Sequence, residues 1–508
     1  MKSITFAELL QDIRDNALSI QTDSRAVQAG HVFVAVSGVA VDGATFIPKA
    51  VAAGARYIVC QEKALVEGGA LDSAARADLL AHERVVSGDV LFVYHGAPRA
   101  VLGTLAQARY GTDALPFSLV GITGTNGKTT ITYLLEHLFK SAGKRTGVLG
   151  TVSYRWPNHE HEAPMTTPDC LELHGMLAEM AKADVDVAFM EVSSHALDQD
   201  RVGGLSFAGA VLTNLTQDHL DYHGDMENYF QAKARLFTTL PSLQKTAAIN
   251  ADDAWGRKLL GMLVDMGLNP VAFGLGGEHV EGTRVLHGEM LRCSTAGVHL
   301  RMTFEDPTGE IKTWEIDSPL VGAHNASNLL AVQAIGLGLG LTPQDFACFE
   351  DFAGVSGRLE RVMNDKGLDI FVDYAHTPDA LINVLKALRA VGFKRIIAVF
   401  GCGGNRDRTK RPLMGQAVAE FADIAVLTSD NPRKEEPLAI MDDVMPGLVN
   451  AKEVFADPDR RTAIAKAIAM MQEGDAVLIA GKGHESYQII GDVKHHYSDQ
   501  ETVVDILS

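Results

Sequence analysis

The stretch FSLVGITGTNGKTTITYLLEHLFKSAG, residues 117 to 143, decides the fold. It begins with an apolar run of strand length, continues through glycines and hydroxyl side chains, and then carries apolar residues at helical spacing until Gly143. A buried strand feeding a helix through a Gly-rich turn is a βα unit. The unpaired N–H groups at the start of such a helix converge on anions. Within Gly124-Thr125-Asn126-Gly127-Lys128-Thr129-Thr130, Lys128 supplies a charge for phosphate oxygens and Thr129 a hydroxyl suited to Mg²⁺. The strict phosphate-loop pattern opens on a glycine where this chain has Ile122, so the motif is a variant, and it is read as an ATP site.

On either side the alternation of strand and helix continues. VDVAFMEV (185 to 192) and AGAVLTNL (208 to 215) predict further strands of a parallel sheet covered on both faces. Upstream, HVFVAV (31 to 36), a turn at Asp42-Gly43, an Ala-rich helix and YIVC predict a small α/β module. Downstream, DIFVDYA (369 to 375), RIIAVFG (395 to 401), IAVLTSD (424 to 430) and AVLIAGK (476 to 482) predict a third domain. A polar cluster follows each of these four strands, which is where open α/β sheets place ligands. GCGGNRD at 401 to 407 has the context of a dinucleotide turn, but Arg406 stands where the third glycine belongs and suits a carboxylate or phosphate instead.

The chain has 508 residues, and at roughly 100 to 200 residues per domain this predicts about three folded units. With 46% apolar and 21% charged residues it is an ordinary globular composition. A net charge of −19 disfavours a nucleic-acid partner. The five cysteines have neither zinc spacing nor disulfide density, so they are expected as free thiols. MKSITFAELLQDIRD has no apolar signal core, and no run of 18 uncharged apolar residues occurs, so the expectation is a cytoplasmic protein with no membrane partner.

Other segments carry chemistry less decisively. Glu191 ends an apolar strand, where it suits either a Mg²⁺ ligand or a solvated acid. Asp218, His219, Asp221 and His223 crowd one loop whose spacing matches no zinc signature. Lys233, in ENYFQAKARLF, reads by default as an exposed helix lysine, and His376 as a loop histidine.

GTNGKTT, MEVSSH, NLTQDHLDYHG, GAHNASN, GRLE, DYAHTPDAL, GCGGNRD, DNPRKEEP and GKGHE occur in the order and approximate spacing of the Mur ligases, and the chain resembles that family throughout. The resemblance implies three α/β domains. These are a small UDP-binding domain at 1–98, a central doubly wound P-loop-type ATPase domain at 99–354 and a C-terminal Rossmann-like domain at 355–508. It implies a monomer that uses ATP and Mg²⁺ to join meso-diaminopimelate to the D-glutamate of UDP-N-acetylmuramoyl-L-alanyl-D-glutamate, through an acyl phosphate, for peptidoglycan synthesis.

By the same resemblance Lys233 is carbamylated, and with Thr129, Glu191 and His219 holds the metal. Lys128 and the loop bind ATP, together with Asn325, Arg358, Asp373 and His376. Thr22, Ser24 and Val39-Ala40-Val41 fall at the UDP-sugar, and Thr166, Thr167, Ser193, Gln199 and Arg201 at the muramyl peptide. Arg406, Asp430, Asn431, Pro432, Arg433, Gly481 and Glu485 fall at diaminopimelate. Arg433 offers a planar fork for the far carboxylate, which lysine lacks. Two alternatives are a folylpolyglutamate synthetase-like ligase, against which the N-terminal domain and DNPR count, and a P-loop regulatory NTPase.

Overall fold

The computed structural model describes residues 1–508 except 39–40, 67–68, 239–242, 277–279, 295 and 306–308. The chain divides into two compact units: 1–121, 144–208 and 235–244 form the first, and 122–143, 209–234 and 245–508 the second. The strands Ser118–Thr123, Phe207–Leu212 and Leu243–Asn250 each straddle the division.

In the first unit, five strands form an all-parallel sheet in the order Lys2–Ser3, Leu91–Tyr94, Tyr57–Cys60, Val32–Val34, Ile20–Gln21. Successive residues of a strand face opposite sides, and the sheet is apolar on both. Ile58 and Cys60 join one core with Phe33 and Phe92, while Tyr57 and Val59 join another with Val32, Val34 and Val93. Leu9 and Ile13 of the helix Phe6–Asn16 close the second core. That helix starts at a Thr5–Glu8 capping box. The same unit pairs Val187–Glu191 with Thr146–Leu149 in parallel, and then departs from the all-parallel expectation. Ser153–Trp156 and His159–Glu162 are added antiparallel.

In the second unit the same departure occurs. Val271–Gly274 pairs in parallel with Leu243–Asn250, but Arg284–Ser294, Gly297–Glu305 and Ile311–Ser318 run antiparallel to one another. Such strands solvate one face. Leu286, Leu300, Met302 and Ile316 are buried, while Arg301 on the open face pairs with Glu289 at 3.0 Å and Glu315 at 2.9 Å.

The C-terminal region holds a six-stranded sheet in the order Glu360–Arg361, Asp369–Asp373, Ala476–Ala480, Ile396–Phe400, Ile424–Leu427, Glu453–Ala456. All but the first pairing are parallel. The four strands predicted here are the four at its centre. Each is apolar on both faces: Ile397, Val399, Val477 and Ile479 face one core, and Ala398, Phe400, Leu478 and Ala480 the other. Their carboxyl ends deliver Asp373, Gly401, Asp430 and Gly481 to one edge.

Candidate active site

The strand Ser118–Thr123 ends at Gly124, and the helix Lys128–Ser141 begins after Gly127. Gly124 has φ 142° and Gly127 φ 90°, and a Cβ on either would overlap Thr213 Oγ1 or Asn328 Oδ1 respectively. Glycine is therefore required at both. The segment 213–216 stitches the loop in place. Thr125 N–H donates to Asn214 O at 2.9 Å, Asn126 N–H to Asn214 Oδ1 at 2.9 Å, and Thr213 Oγ1 to Asn126 O at 2.6 Å. Lys128 Nζ donates to Gly124 O and Thr125 O, both at 2.9 Å.

Lys233 is not an exposed helix lysine. It is 2% exposed, donates to Gly124 O at 2.8 Å, and lies 4.7 Å from the centre of the Tyr229 ring. Burial, then the neighbouring Lys128 charge, push its pKa well below the ordinary lysine value. Thr129 is buried, and its hydroxyl accepts from Arg358 Nη2 at 3.0 Å. Arg358 lies over Tyr374, 4.6 Å from the ring centre.

Asp218 anchors the neighbouring loop. Its Oδ1 accepts from Lys410 Nζ at 2.6 Å, and its Oδ2 lies 3.4 Å from His219 Nε2. Burial opposes ionisation here, but His219, Lys410 and His376 outweigh it and hold the carboxyl well below the usual range. Asp373 is different: burial raises its pKa to about 6 despite Arg358 and the N–H groups of Leu359 and Ala375. His376 keeps exposed surface, its Nδ1 2.9 Å from Tyr374 O. Asn325 donates to Val321 O at 2.9 Å and accepts from Asn328 Nδ2 at 3.1 Å. Asp221 is exposed and His223 half-buried.

In the first unit, Glu191 is 1% exposed and not a solvated acid. Its carboxylate accepts from Thr151 N–H at 3.0 Å and Thr151 Oγ1 at 2.9 Å. Thr151 Oγ1 lies 3.1 Å from Thr166 Oγ1, and Thr167 Oγ1 donates to Glu191 O at 2.8 Å. Ser193 N–H donates to Thr167 Oγ1 at 3.1 Å, and Arg201 Nη1 to Thr167 O at 3.1 Å. Arg201 Nη2 also donates to Gln199 Oε1 at 2.9 Å. One network thus joins all five residues that the family resemblance assigns to the muramyl peptide. Ser24 is buried and Thr22 exposed just after the strand Ile20–Gln21. Val41 is exposed, and Val39 and Ala40 lie outside the described residues.

At the C-terminal sheet edge, Arg406 and Arg433 flank Gly403: a Cβ there would lie 3.0 Å from Arg433 Nη1 and 3.7 Å from Arg406 Cγ. Arg433 has φ 52°, and its Nη1 donates to Gly404 O at 2.9 Å. Its backbone is held on both sides by the hairpin Tyr487–His496, donating to Ile489 O at 3.0 Å and accepting from Gly491 N–H at 2.7 Å. Among the described residues neither guanidinium has a carboxylate at ion-pair distance. Burial and then Arg406 push the Arg433 pKa down. Asp430 bonds Asn431 N–H at 2.6 Å, and Gly481, φ 117°, is required because a Cβ would overlap Asp430 Oδ2. Pro432 is buried, and a Cβ on Gly404 would overlap its carbonyl oxygen. Glu485 accepts from Asn431 Nδ2 at 2.8 Å and lies 3.4 Å from Lys482 Nζ, and burial raises its pKa.

The sequence reading missed several participants. Asp379 accepts from Asn126 Nδ2 at 2.8 Å and Thr216 Oγ1 at 3.1 Å, and Lys482 is fully buried beneath Asn431 at 3.1 Å. Both lie inside motifs already quoted, DYAHTPDAL and GKGHE, which is the signal that would have found them. Thr151 and Lys410 carry no such signal.

Residues 18–110 match the Mur ligase family catalytic domain, 122–336 the Mur ligase middle domain, and 357–483 the Mur ligase glutamate ligase domain. A UDP-N-acetylmuramoyl-L-alanyl-D-glutamate–2,6-diaminopimelate ligase of Lawsonia intracellularis is 54% identical over 98% of this chain and 98% of its own. A ligase of the same name from Synechococcus elongatus is 45% identical over 95% of this chain and 92% of its own. A solved structure of a ligase with that name superposes with a TM-score of 0.64 at 33% identity, covering 96% of this chain and 94% of the other.

Proposed function

The chain belongs to the Mur ligase family, and from that premise we infer that it is the ATP-dependent amide ligase that adds meso-diaminopimelate to the D-glutamate of UDP-N-acetylmuramoyl-L-alanyl-D-glutamate, a step of peptidoglycan synthesis. The observation that carries this reading is the presence of a phosphate loop, beside which Lys128, Lys233 and Arg358 gather, together with two guanidinium groups that among the described residues have no carboxylate at ion-pair distance. The folylpolyglutamate synthetase alternative is not favoured, because likeness to the diaminopimelate ligases extends over 98% of the chain. A regulatory NTPase has no use for an amino-acid site.

A carboxylate is a poor electrophile. Transfer of the terminal phosphoryl group of ATP to the D-glutamate carboxylate makes a mixed anhydride, which the amine of diaminopimelate attacks, expelling phosphate. The loop N–H groups and Lys128 bind the phosphates and meet charge developing on the transferred group. Arg358 reaches the hydroxyl of Thr129, and Asn325, Asp373 and His376 are assigned to the nucleotide.

The residues fit Mg²⁺ with one condition. Among the described residues no group of three His, Cys, Asp or Glu gathers, but Thr129 brings a hydroxyl, and burial pushes the Lys233 pKa well below the ordinary lysine value, which favours the neutral amine. A neutral amine is the form that takes up CO₂, and the resulting carbamate gives two anionic oxygens suited to a hard cation. Thr129, His219 and carbamylated Lys233 would hold the ion, and the resemblance gives Glu191 the same task. When bound, Mg²⁺ supplies positive charge at phosphate oxygens.

The proposed domain limits are 1–98, 99–354 and 355–508. The UDP-muramyl peptide is assigned to Thr22, Ser24, Val41, Thr166, Thr167, Ser193, Gln199 and Arg201. Arg433 and Arg406 take the far carboxylate of diaminopimelate and Glu485 its ammonium, with Asp430, Asn431, Pro432 and Gly481 shaping the pocket. No helix among the described residues is long and apolar enough to cross a membrane, and all five cysteines are unpaired. We place the enzyme, as a monomer, in the cytoplasm.

The test is ADP release with UDP-muramyl dipeptide while meso-diaminopimelate, lysine or glutamate is offered in turn. Release should require diaminopimelate. Equal release without any amino acid would overturn the assignment.

A further inference from the structure

Arg411 is a fully buried cation with no part in the reaction just described. It lies in the helix Lys410–Phe421, 1% exposed. Its Nη1 donates to Glu435 Oε2 at 3.0 Å and Asp443 Oδ2 at 2.7 Å, and its Nη2 to Glu435 Oε1 at 2.9 Å and Gly403 O at 3.4 Å. Glu435 Oε1 also accepts the backbone N–H of Asn405. A buried cation paired with partly exposed carboxylates is weak ground for stability by itself, and Arg411 Nε lacks a partner among the described residues. The arrangement calls for another reason.

That reason lies on the other side of Gly403-Gly404. Glu435 follows Arg433 by two positions, and a Cβ on Gly404 would lie 3.3 Å from Glu435 Cβ. Arg433 Nη1 is at hydrogen-bond distance from the Gly404 carbonyl, and Arg406 flanks Gly403. The Glu435 carboxylate is therefore tethered beside the Gly403-Gly404 turn that Arg406 and Arg433 also line, and among the described residues neither guanidinium has a carboxylate at ion-pair distance. A tethered carboxylate acts at high effective concentration and would compete with a substrate carboxylate for the same fork. While Arg411 holds it the carboxylate is ionised, because Arg411 first, and then the Asn405 N–H, lower the Glu435 pKa to about 2.

We propose that Arg411 is a positioning residue for amino-acid recognition, which sequesters both oxygens of Glu435 so that Arg406 and Arg433 stay open to the far carboxylate of the incoming amino acid. The inference rests on the ligase reading above. It makes Glu435 a latent inhibitor of its own site, silent while Arg411 holds it. Asn405 tightens the device, because its N–H binds Glu435 and its Oδ1 accepts Lys434 N–H at 3.0 Å, locking the two loops in register.

The test uses full-length enzyme, UDP-muramyl dipeptide, ATP and meso-diaminopimelate. In Arg411→Met the KM for diaminopimelate should rise by roughly tenfold or more, with the KM values for ATP and the UDP-dipeptide within about twofold of wild type. Adding Glu435→Gln to that variant should restore most of the loss, and Glu435→Gln alone should leave the diaminopimelate KM within about twofold. Arg411→Lys, which keeps the charge but not the fork, should fall between. If Arg411→Met does not fold, as judged by thermal melting, Arg411→Lys with and without Glu435→Gln carries the same comparison. The proposal is overturned if Glu435→Gln fails to rescue the Arg411 variant, or by itself raises the KM as much. It also fails if all three KM values rise together. A wild-type enzyme that takes no diaminopimelate would sink the ligase reading instead, and shows itself before any variant is made.

Discussion

Lys128 and Lys233 donate to a single carbonyl: their Nζ atoms lie 2.9 Å and 2.8 Å from the oxygen of Gly124. Two ammonium groups sharing one acceptor repel, and of the two only Lys233 is fully buried, so burial and then the Lys128 charge push the Lys233 pKa well down. The two lysines next to one loop therefore have different tasks.

Lys128→Ala removes a cation from a loop that the side chains of Thr213 and Asn214 and the Asn214 carbonyl already hold, so the fold should survive and ligation should not. Circular dichroism and ADP release on the same sample check this. Near-normal product from a folded variant would defeat the ATP assignment.

Lys233→Ala should be nearly inactive, with partial recovery from small carboxylic acids that replace the carbamate oxygens. Mass or crystallographic analysis of active enzyme should show the modification. An unmodified amine at Lys233 in fully active enzyme would refute it.

The contrast between these residues shows where the sequence was legible. Long apolar runs such as Ile396–Phe400 and Ala476–Ala480 are buried on both faces, and that pattern is local, so the C-terminal sheet could be read directly. The strands from Arg284 to Ser318 alternate weakly and carry charge on the open face, and they went unread. Lys233 sits at ordinary helical spacing, and nothing in ENYFQAKARLF tells that a phosphate loop covers it. Burial of that kind is a tertiary fact. Only the family resemblance singled Lys233 out, as it did Thr166, Thr167 and Gln199. Arg411 and Glu435, 24 residues apart, had neither a local pattern nor a motif to join them.

Arg460 and Asp499 form a bidentate pair, both bonds 2.8 Å, at 1% and 0% exposure. Arg460 also donates to Ala480 O at 3.0 Å and Ser429 O at 3.4 Å, the carbonyls just before Gly481 and Asp430. Arg460→Ala leaves a buried carboxylate unpaired and should cost about 3 to 5 kcal/mol. Arg460→Met with Asp499→Leu should recover most of that stability. Urea denaturation checks both. Equal loss in single and double variants would mean that packing, not the stranded charge, sets the cost.

Asp373 gives stability a pH dependence. Its pKa rises from 3.8 to about 6 on folding, mainly through burial. Between those values the folded chain keeps a proton that the unfolded chain has released. The contribution is therefore fully present below 3.8 and is lost as the pH rises through about 6. Asp373→Asn removes the titration, so wild type should lose roughly 2 to 3 kcal/mol relative to this variant between those limits. Denaturation midpoints compared at pH 4 and pH 7 measure it. A constant difference would mean that Asp373 stays ionised.

Arg433 is half-buried beside exposed Arg406, and its left-handed backbone is fixed by the hairpin at Ile489 and Gly491. With its backbone fixed and Nη1 bonded to Gly404 O at 2.9 Å, Arg433 has already lost part of the freedom that binding would otherwise take away. Arg433→Ala deletes one partner of a charge pair that forms on binding, a loss of roughly 2 to 5 kcal/mol. That is about 30-fold to a few thousandfold in apparent affinity for diaminopimelate. ATP and UDP-dipeptide binding should hardly change, because among the described residues Arg433 bonds Gly404 and the hairpin and no residue assigned to either ligand. Lysine should be a poor substrate for wild type, since it brings no far carboxylate to Arg433 and the neighbouring Arg406. Competition kinetics with both amino acids decide the matter. Unchanged diaminopimelate kinetics in Arg433→Ala, or equal use of lysine by wild type, would remove Arg433 from substrate recognition and leave the rest of the ligase assignment in place.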